Sequence, residues 1–257
     1  MGLYRFGVRA VGGIFRLLRV RRVVTGIDNV PSTGGAVLAA THFGYFEFAL
    51  IAWVIWLHDR RPIRFMATKT AFDRPVVGSL LRTVRQIPVD AAAGSSAYAA
   101  AITALQEGAL VGVFPEAGVD ASFTIRQLKT GAVRLAAEAG VPVIPVGIWG
   151  GQRLMTKGHR VGFFERFGIP IGFAFGAPLT VTREEEPRAA TQRLLDELHA
   201  LVGELQSSYP DDGTGKWWQP RSLGGSALTT DDAAALDARV KAERDARKAL
   251  KRAGRER

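Results

Sequence analysis

Residues 34–58 read GGAVLAATHFGYFEFALIAWVIWLH. The first part, 34–41, is small, apolar and uncharged, the pattern of a strand buried on both faces. From about residue 45 to residue 58 the apolar residues continue over a length that suits a helix better than a strand. A buried strand running directly into an apolar helix is the opening of a βαβ unit. The same alternation continues outward. Strands are expected at 63–68, 85–89, 109–114 and 141–148, and helices at 71–83, 95–107 and 127–139. Two more short strands are expected around 161–164 and 170–175, then a polar helix over about 184–206. The pattern predicts an α/β fold with a mostly parallel central sheet flanked by helices.

The chain has 257 residues, enough for one large domain or two small ones. It contains no cysteine, which excludes disulfides, thiolate nucleophiles and cysteine-ligated metal centres. Four histidines are too few to expect a multi-histidine metal site. With 34 Lys+Arg against 24 Asp+Glu the net charge is +10, which favours an anionic partner such as an acidic lipid surface or a phosphorylated substrate. The longest uncharged apolar run, 48–57, is half of the roughly 20 residues that a membrane span needs.

Residues 3–19 read as an amphipathic helix. On a helical wheel Arg5, Arg9, Arg16 and Arg19 fall at about 140°, 180°, 160° and 100°, in one narrow sector. Leu3, Phe6, Ala10, Ile14, Leu17 and Leu18 lie on the far side, and no acid occurs before Asp28. Arginines spread through this segment argue against a secretion signal. The expectation is a helix lying in a membrane interface, against the alternative that its apolar face covers the sheet. Three regions follow: 1–22 as interfacial helix, 23–206 as the main domain, and 207–257 as an irregular linker with a charged helical tail. Trp217 and Trp218 in that linker could anchor at a membrane or pack on the domain.

The candidate chemistry starts at His42, at the carboxyl end of the first buried strand, where open α/β sheets place their ligands. Glu47 lies five residues on. Neither a regular helix nor a strand brings that spacing together, so the chain must turn between them, and Gly44 is the residue to permit it. His42 would then be a general base held by a carboxylate. No G-x-S-x-G, G-x-G-x-x-G or Walker loop accompanies the pair. A base without a protein nucleophile points to a substrate hydroxyl as the attacking group. Three further sites stand out. Phe114-Pro115-Glu116-Ala117-Gly118 follows a buried strand. Residues 141–146 form an apolar strand with Pro142 and Pro145, which favours an edge or a groove wall. Lys69 and Arg74 are cations where a phosphate could sit.

In their order these pieces resemble the glycerophospholipid acyltransferase family, of the 1-acylglycerol-3-phosphate acyltransferase type. The H-x4-D/E block is HFGYFE, from His42 to Glu47. The second block runs from Ala67-Thr-Lys69 to Ile87-Pro-Val-Asp90. The third, F-P-E-G in the family, is Phe114-Pro-Glu-Ala117, and the fourth is Val141-Pro-Val-Ile-Pro145. The resemblance spans about residues 23–206. It implies a catalytic His42 that takes the proton of an acceptor hydroxyl, and a Glu47 that orients the imidazole. The hydroxyl attacks the thioester of acyl-CoA or acyl carrier protein, with no metal, no other cofactor and no acyl-enzyme. It implies a lysophospholipid acceptor, first 1-acylglycerol-3-phosphate, in phospholipid biosynthesis. It also implies a peripheral position on the cytoplasmic face of the membrane. No nucleic acid is expected as partner, because the basic tail interleaves acids and lacks an aromatic stacking pattern.

Two departures concern the acceptor. The family's arginine after Val-Asp is Ala91 here, and the arginine of F-P-E-G-T-R-S is Val119, followed by Asp120. The resemblance implies that those arginines hold the acceptor phosphate. Lys69 and Arg85 are the candidate replacements, with Arg82, Arg126 and Lys129 behind them. Phe114, Pro115, Glu116, Ala117 and Gly118 would line the acceptor site. The rival readings are acylation of a glycolipid or another non-phosphorylated alcohol, and a non-catalytic lipid-binding relative.

Overall fold

The computed structural model describes residues 2–73, 75–89, 94–116 and 118–253. Of the residues singled out above, Arg74, Asp90, Ala91 and Ala117 lie outside the described residues. The chain opens with α1 (Gly2–Leu17) and β1 (Arg21–Thr25), then β2 (Ala36–Ala40) and α2 (Glu47–His58). Next come β3 (Ile63–Thr68), α3 (Lys69–Phe72), α4 (Pro75–Thr83), β4 (Ile87–Val89), α5 (Gly94–Gln106) and β5 (Leu110–Val113). α6 (Gly131–Ala139), β6 (Val143–Trp149), β7 (Pro170–Phe175), α7 (Pro187–Ser207) and α8 (Thr230–Ala253) complete it.

The strands form one seven-stranded sheet in the order β1-β7-β6-β2-β5-β3-β4. Every neighbouring pair is parallel except β6 with β7. The expected α/β class with a mostly parallel sheet is therefore what the chain adopts. β2 lies in the middle, and all five of its residues are fully buried. Its even-numbered side chains join the layer under α1 and α2, and its odd-numbered ones join the layer under α5, α6 and α7. That is why the strand reads as a continuous run of small apolar residues. β2, β3, β5 and β6 run in the same direction. Their carboxyl ends deliver His42, Lys69, Phe114 and the 150–168 loop to one edge of the sheet.

Three local expectations change, and one open alternative is decided. Residues 21–25 form β1, paired in parallel with β7, so the interfacial segment drawn as 1–22 ends instead at Leu17 and its last residues belong to the sheet. Arg22 is part of that strand, with its guanidinium 4.6 Å from the centre of the Trp53 ring. Residues 161–164 form no strand; the turn around Phe164–Arg166 is a single 3-10 turn. The outer side of β7 is taken instead by β1. Pro145 sits in an interior strand, not at an edge. Its carbonyl accepts from Gly176 N (2.9 Å), immediately past the end of β7. The N–H it lacks would point to the same side, where little ladder remains to be broken. The 207–229 stretch is irregular but packs on the domain. Trp218 is buried beneath the Arg153 guanidinium, 4.5 Å from the ring centre, and Trp217 stacks on His159 at 3.8 Å. Both tryptophans therefore belong to the protein's own packing.

α1 carries three stripes. Tyr4, Val8, Gly12 and Phe15 are buried against α2, where Tyr4 meets Trp56 and Phe15 meets Trp53 at ring-centre distances of 5.5 and 5.3 Å. The Tyr4 hydroxyl accepts from Ile63 N (3.0 Å), which ties the helix to the start of β3. Arg5, Arg9 and Arg16 form a second, exposed stripe, and Leu3, Phe6, Ile14 and Leu17 a third that is apolar and exposed. The two apolar stripes make separable predictions. Phe15→Ala should cost about 3–5 kcal/mol in denaturant unfolding, the range for a large buried aromatic. Phe6→Ala should stay within about 0.5 kcal/mol of the parent, as exposed positions do. Equal losses at the two positions would mean that the helix does not pack this way.

Candidate active site

Thr41, at the end of β2, accepts from Ile148 N through its hydroxyl (3.1 Å), and the chain then leaves the sheet in a tight turn. α2 begins at Glu47, so this carboxylate sits in the first turn of a helix, where the dipole favours negative charge. The Glu47 side chain is fully buried. Its Oε1 accepts from Phe43 N (3.0 Å) and Gly44 N (2.9 Å), and its Oε2 faces His42 Nδ1 at 3.0 Å. The side chain closes the turn that the five-residue spacing requires. Burial raises the Glu47 carboxyl above its ordinary value, while the imidazole and the two amides act the other way.

Gly44 is needed for closeness: a Cβ there would lie 2.8 Å from the Gly151 carbonyl oxygen, and its φ is not positive. Gly151 in turn lies against Glu47, where an added Cβ would be 3.2 Å from Cγ. Two glycines on different loops thus let backbone close over the buried carboxylate.

The imidazole of His42 is held on a second side. It stacks on Phe114, with ring centres 4.0 Å apart, and Phe114 stacks on Phe65 at 5.7 Å. With Nδ1 directed at Glu47, Nε2 has no partner among the described residues, and the side chain keeps 17% exposure. One ring nitrogen is thus anchored and the other is open to a ligand, the geometry a general base needs.

The Glu116 carboxylate turns inward, accepting from His42 N (3.0 Å) and from Arg126 N (3.2 Å). Asp120 N donates to His42 O (3.1 Å), so the turn is gripped through both backbone groups of His42. Burial pushes the Glu116 carboxyl up to about 8, against the pull of the two amides. Phe114 acts through its stack, and the Pro115 carbonyl accepts from Lys129 N (3.0 Å). Gly118 is exposed, and a side chain there would meet nothing. Val119, in the place of the family's arginine, is buried.

Lys69 opens α3 at the carboxyl end of β3, on the catalytic edge. Arg85 is not brought there. It precedes β4, whose Ile87 is level with Met66 of β3, so Arg85 lies toward the opposite edge of the sheet. Parallel pairing sets this: residues before one strand and after its neighbour are a strand length apart. Arg126 does reach the site, but it is held by Asp120 and by Asp237 of α8, the latter at 2.8 Å. Asp237 also pairs with Lys157. Nothing local in the sequence marks Asp237, an acid more than a hundred residues away, as a partner of Arg126. The D-A-S-F-T-I-R spacing from Asp120 to Arg126 was the signal available for the other half.

The family model described as Acyltransferase matches residues 21–149, which contain the turn, the stack and the Glu116 clamp. The chain belongs to the acyltransferase family. Its likeness extends to the 1-acyl-sn-glycerol-3-phosphate acyltransferase of Bacillus subtilis, 32% identical over 160 residues, covering 61% of this chain and 77% of that protein. An uncharacterised protein of Mycobacterium leprae is 31% identical over 159 residues, 57% of this chain but 41% of that longer protein. The crystal structure of the 1-acyl-sn-glycerophosphate acyltransferase PlsC from Thermotoga maritima shares the fold. Its TM-score is 0.65 at 22% identity, and the match covers 82% of this chain and 80% of that one. This acyltransferase is thus an α/β enzyme of the glycerophospholipid acyltransferase type, an O-acyltransferase.

The raised Glu116 carboxyl has a consequence for stability. In the unfolded chain it loses its proton near its ordinary value of 4.5, whereas in the folded protein it keeps it to about 8. Between those values the folded state binds more protons. This group's contribution is therefore complete below about pH 4.5 and falls as the pH rises through 8. Thermal unfolding of Glu116→Gln, followed from pH 5 to 8.5, should show a flatter decline than the parent. An unchanged profile would place Glu116 in the ordinary carboxylate range.

Proposed function

We propose that this acyltransferase moves a fatty acyl chain from acyl-CoA or acyl carrier protein to the free hydroxyl of a lysophospholipid, 1-acylglycerol-3-phosphate first. The observation that carries it is the anchored imidazole of His42 with its open Nε2, together with the activity named for the Bacillus subtilis relative. The acceptor hydroxyl gives its proton to Nε2 as its oxygen bonds to the thioester carbonyl carbon. Glu47 stabilises the imidazolium that forms. The tetrahedral intermediate then expels the thiolate, which takes the proton back from Nε2. The atoms balance with no acyl-enzyme and no metal. The second reading, a non-phosphorylated alcohol acceptor, is favoured by one observation: the arginine nearest the third motif, Arg126, is already neutralised by two carboxylates.

One experiment tests the chemistry and separates the acceptors. Purified protein is given labelled acyl-CoA with lysophosphatidate, other lysophospholipids, monoacylglycerol or a glycolipid. His42→Ala should lose nearly all transfer on the preferred acceptor, and Glu47→Gln about 10²-fold or more, the scale of general-base effects. The double variant should be little worse than His42→Ala, since the two act as one unit. Near-normal turnover by a folded His42→Ala protein would overturn the mechanism. Preference for a neutral acceptor would select the second reading.

The enzyme's place is at a membrane surface, on the cytoplasmic face. Among the described residues no helix is long and apolar enough to cross a membrane. The third stripe of α1 supports peripheral contact: Phe6 and Leu17 are 71% and 74% exposed, beside three arginines. A second exposed apolar group adjoins it. Phe163 and Phe164 are 62% and 85% exposed, and the same loop joins the end of α1 where Gly168 N donates to Leu18 O (2.8 Å). Aromatic side chains beside cations suit the headgroup region, and each cation near an anionic leaflet contributes about 1 kcal/mol. The buried stripe of α1 makes deletion of the helix a poor test, because the core would be lost with it. Substituting Phe6, Leu17 and Phe164 by Ser should leave the melting temperature unchanged and abolish sedimentation with anionic vesicles. The parent's binding should weaken as salt rises. A parent that never sediments with them at low salt would refute the membrane reading.

A further inference from the structure

Beyond the His42 turn, on the side away from β3, the chain after β6 forms a loop that is sewn to the catalytic turn. Tyr45 N donates to Met155 O (2.9 Å), and the Thr156 hydroxyl donates to Phe43 O (2.7 Å). A pocket of about 600 Å³ opens between this loop, Tyr45 and Val240 of α8. Its charged lining is Lys157, Arg160 and Arg166, with the imidazole of His159 beside them. No carboxylate is among the lining residues. Asp237 pairs with Lys157, and its charge reaches Tyr45. The other acid of the loop, Glu165, is exposed.

Lys157 is paired with Asp237, but the two arginines of this pocket make no ion pair among the described residues. Arg166 donates from Nη2 to Val161 O (3.0 Å), while its Nε is buried without any acceptor. Cations gathered with no carboxylate among the lining residues favour an oxygen anion as the partner. Arginine's fork suits a phosphate. The ring of Tyr45 and the His159–Trp217 stack add flat surfaces at the rim. The volume exceeds what one phosphate needs and accommodates a larger phosphorylated group.

We infer that the pocket formed by Lys157, Arg160, Arg166 and Tyr45 binds the phosphate-bearing end of one of the two substrates, on the opposite flank of His42 from Lys69. The inference rests on the acyl-transfer reading, in which coenzyme A and a lysophospholipid both carry phosphate. It supplies a place for charge recognition in a chain whose Val119 has replaced a motif arginine and whose Arg126 is neutralised.

The test uses the full chain and Arg160→Glu, with Arg166→Gln as a second variant. Binding is measured directly with 3′,5′-ADP and with glycerol 3-phosphate, the phosphorylated ends of donor and acceptor. One of the two probes should bind the parent and weaken at least tenfold in Arg160→Glu. Kinetics then name the substrate. If KM rises at least tenfold for acyl-CoA but not for the matching acyl-pantetheine, the pocket serves the donor. If it rises for lysophosphatidate but not for monoacylglycerol, the pocket serves the acceptor. Neither probe binding the parent, or equal binding by parent and both variants, would overturn the proposal. Because binding is read without turnover, absence of acyl transfer would defeat the functional reading while leaving this result to stand or fall separately.

Discussion

A single buried carboxylate organises the catalytic edge. Glu47 accepts two backbone amides and faces an imidazole nitrogen, all within six residues of chain. A charge removed from water is tolerated only when such partners surround it. Other features follow from that requirement. The turn must be tight enough to aim the amides of Phe43 and Gly44 at one oxygen. Residue 44 must be small because Gly151 passes against it. Residue 151 must be small because Glu47 lies beneath it. The central position of β2, buried on both faces, supplies the rigid base from which the turn starts.

His42 is held on more sides than a sequence motif conveys. Its ring is fixed by Glu47 and by the Phe114–Phe65 stack, and its backbone by Glu116 and Asp120. The third motif therefore supports the first: Glu116 and Asp120 follow β5, the strand paired directly with β2. Parallel neighbours bring their carboxyl ends to the same level. That is the physical reason the blocks HFGYFE and FPEAG, some seventy residues apart, can act as one site.

Much of this was readable from residues alone, because it rests on local periodicity. The buried run at 34–41, the apolar helix after it and the alternation beyond are set by burial on each face. The five-residue spacing of His42 and Glu47 required a turn, and the turn is there. What escaped was non-local. β1 carries three charged or polar residues out of five and could be recognised as a strand only through its pairing with β7. Arg85 and Lys69 are both candidate replacements for the missing arginines; the register of β3 on β4 separates them. The prolines of 141–146 favour an edge or a groove wall, yet Pro145 lies in an interior strand, where the neighbouring strand has just ended.

The same distinction governs the charge around the third motif. With an arginine replaced by Val119 and a serine by Asp120, the loop would carry an acid with no compensation. The structure supplies Arg126 from six residues on, and Asp237 from α8 then shares that arginine and Lys157. Two acids and two bases close into a network that joins the third motif to the tail. The network is partly buried, so removing one member would strand a charge on another. The tail is consequently more than an appendage. Through Trp217 and Trp218 it packs on the 150–168 loop, and through Asp237 it neutralises cations on both sides of the catalytic turn. Among the described residues Arg160 and Arg166 stay outside this network, on the flank of the His42 turn opposite β3 and α3.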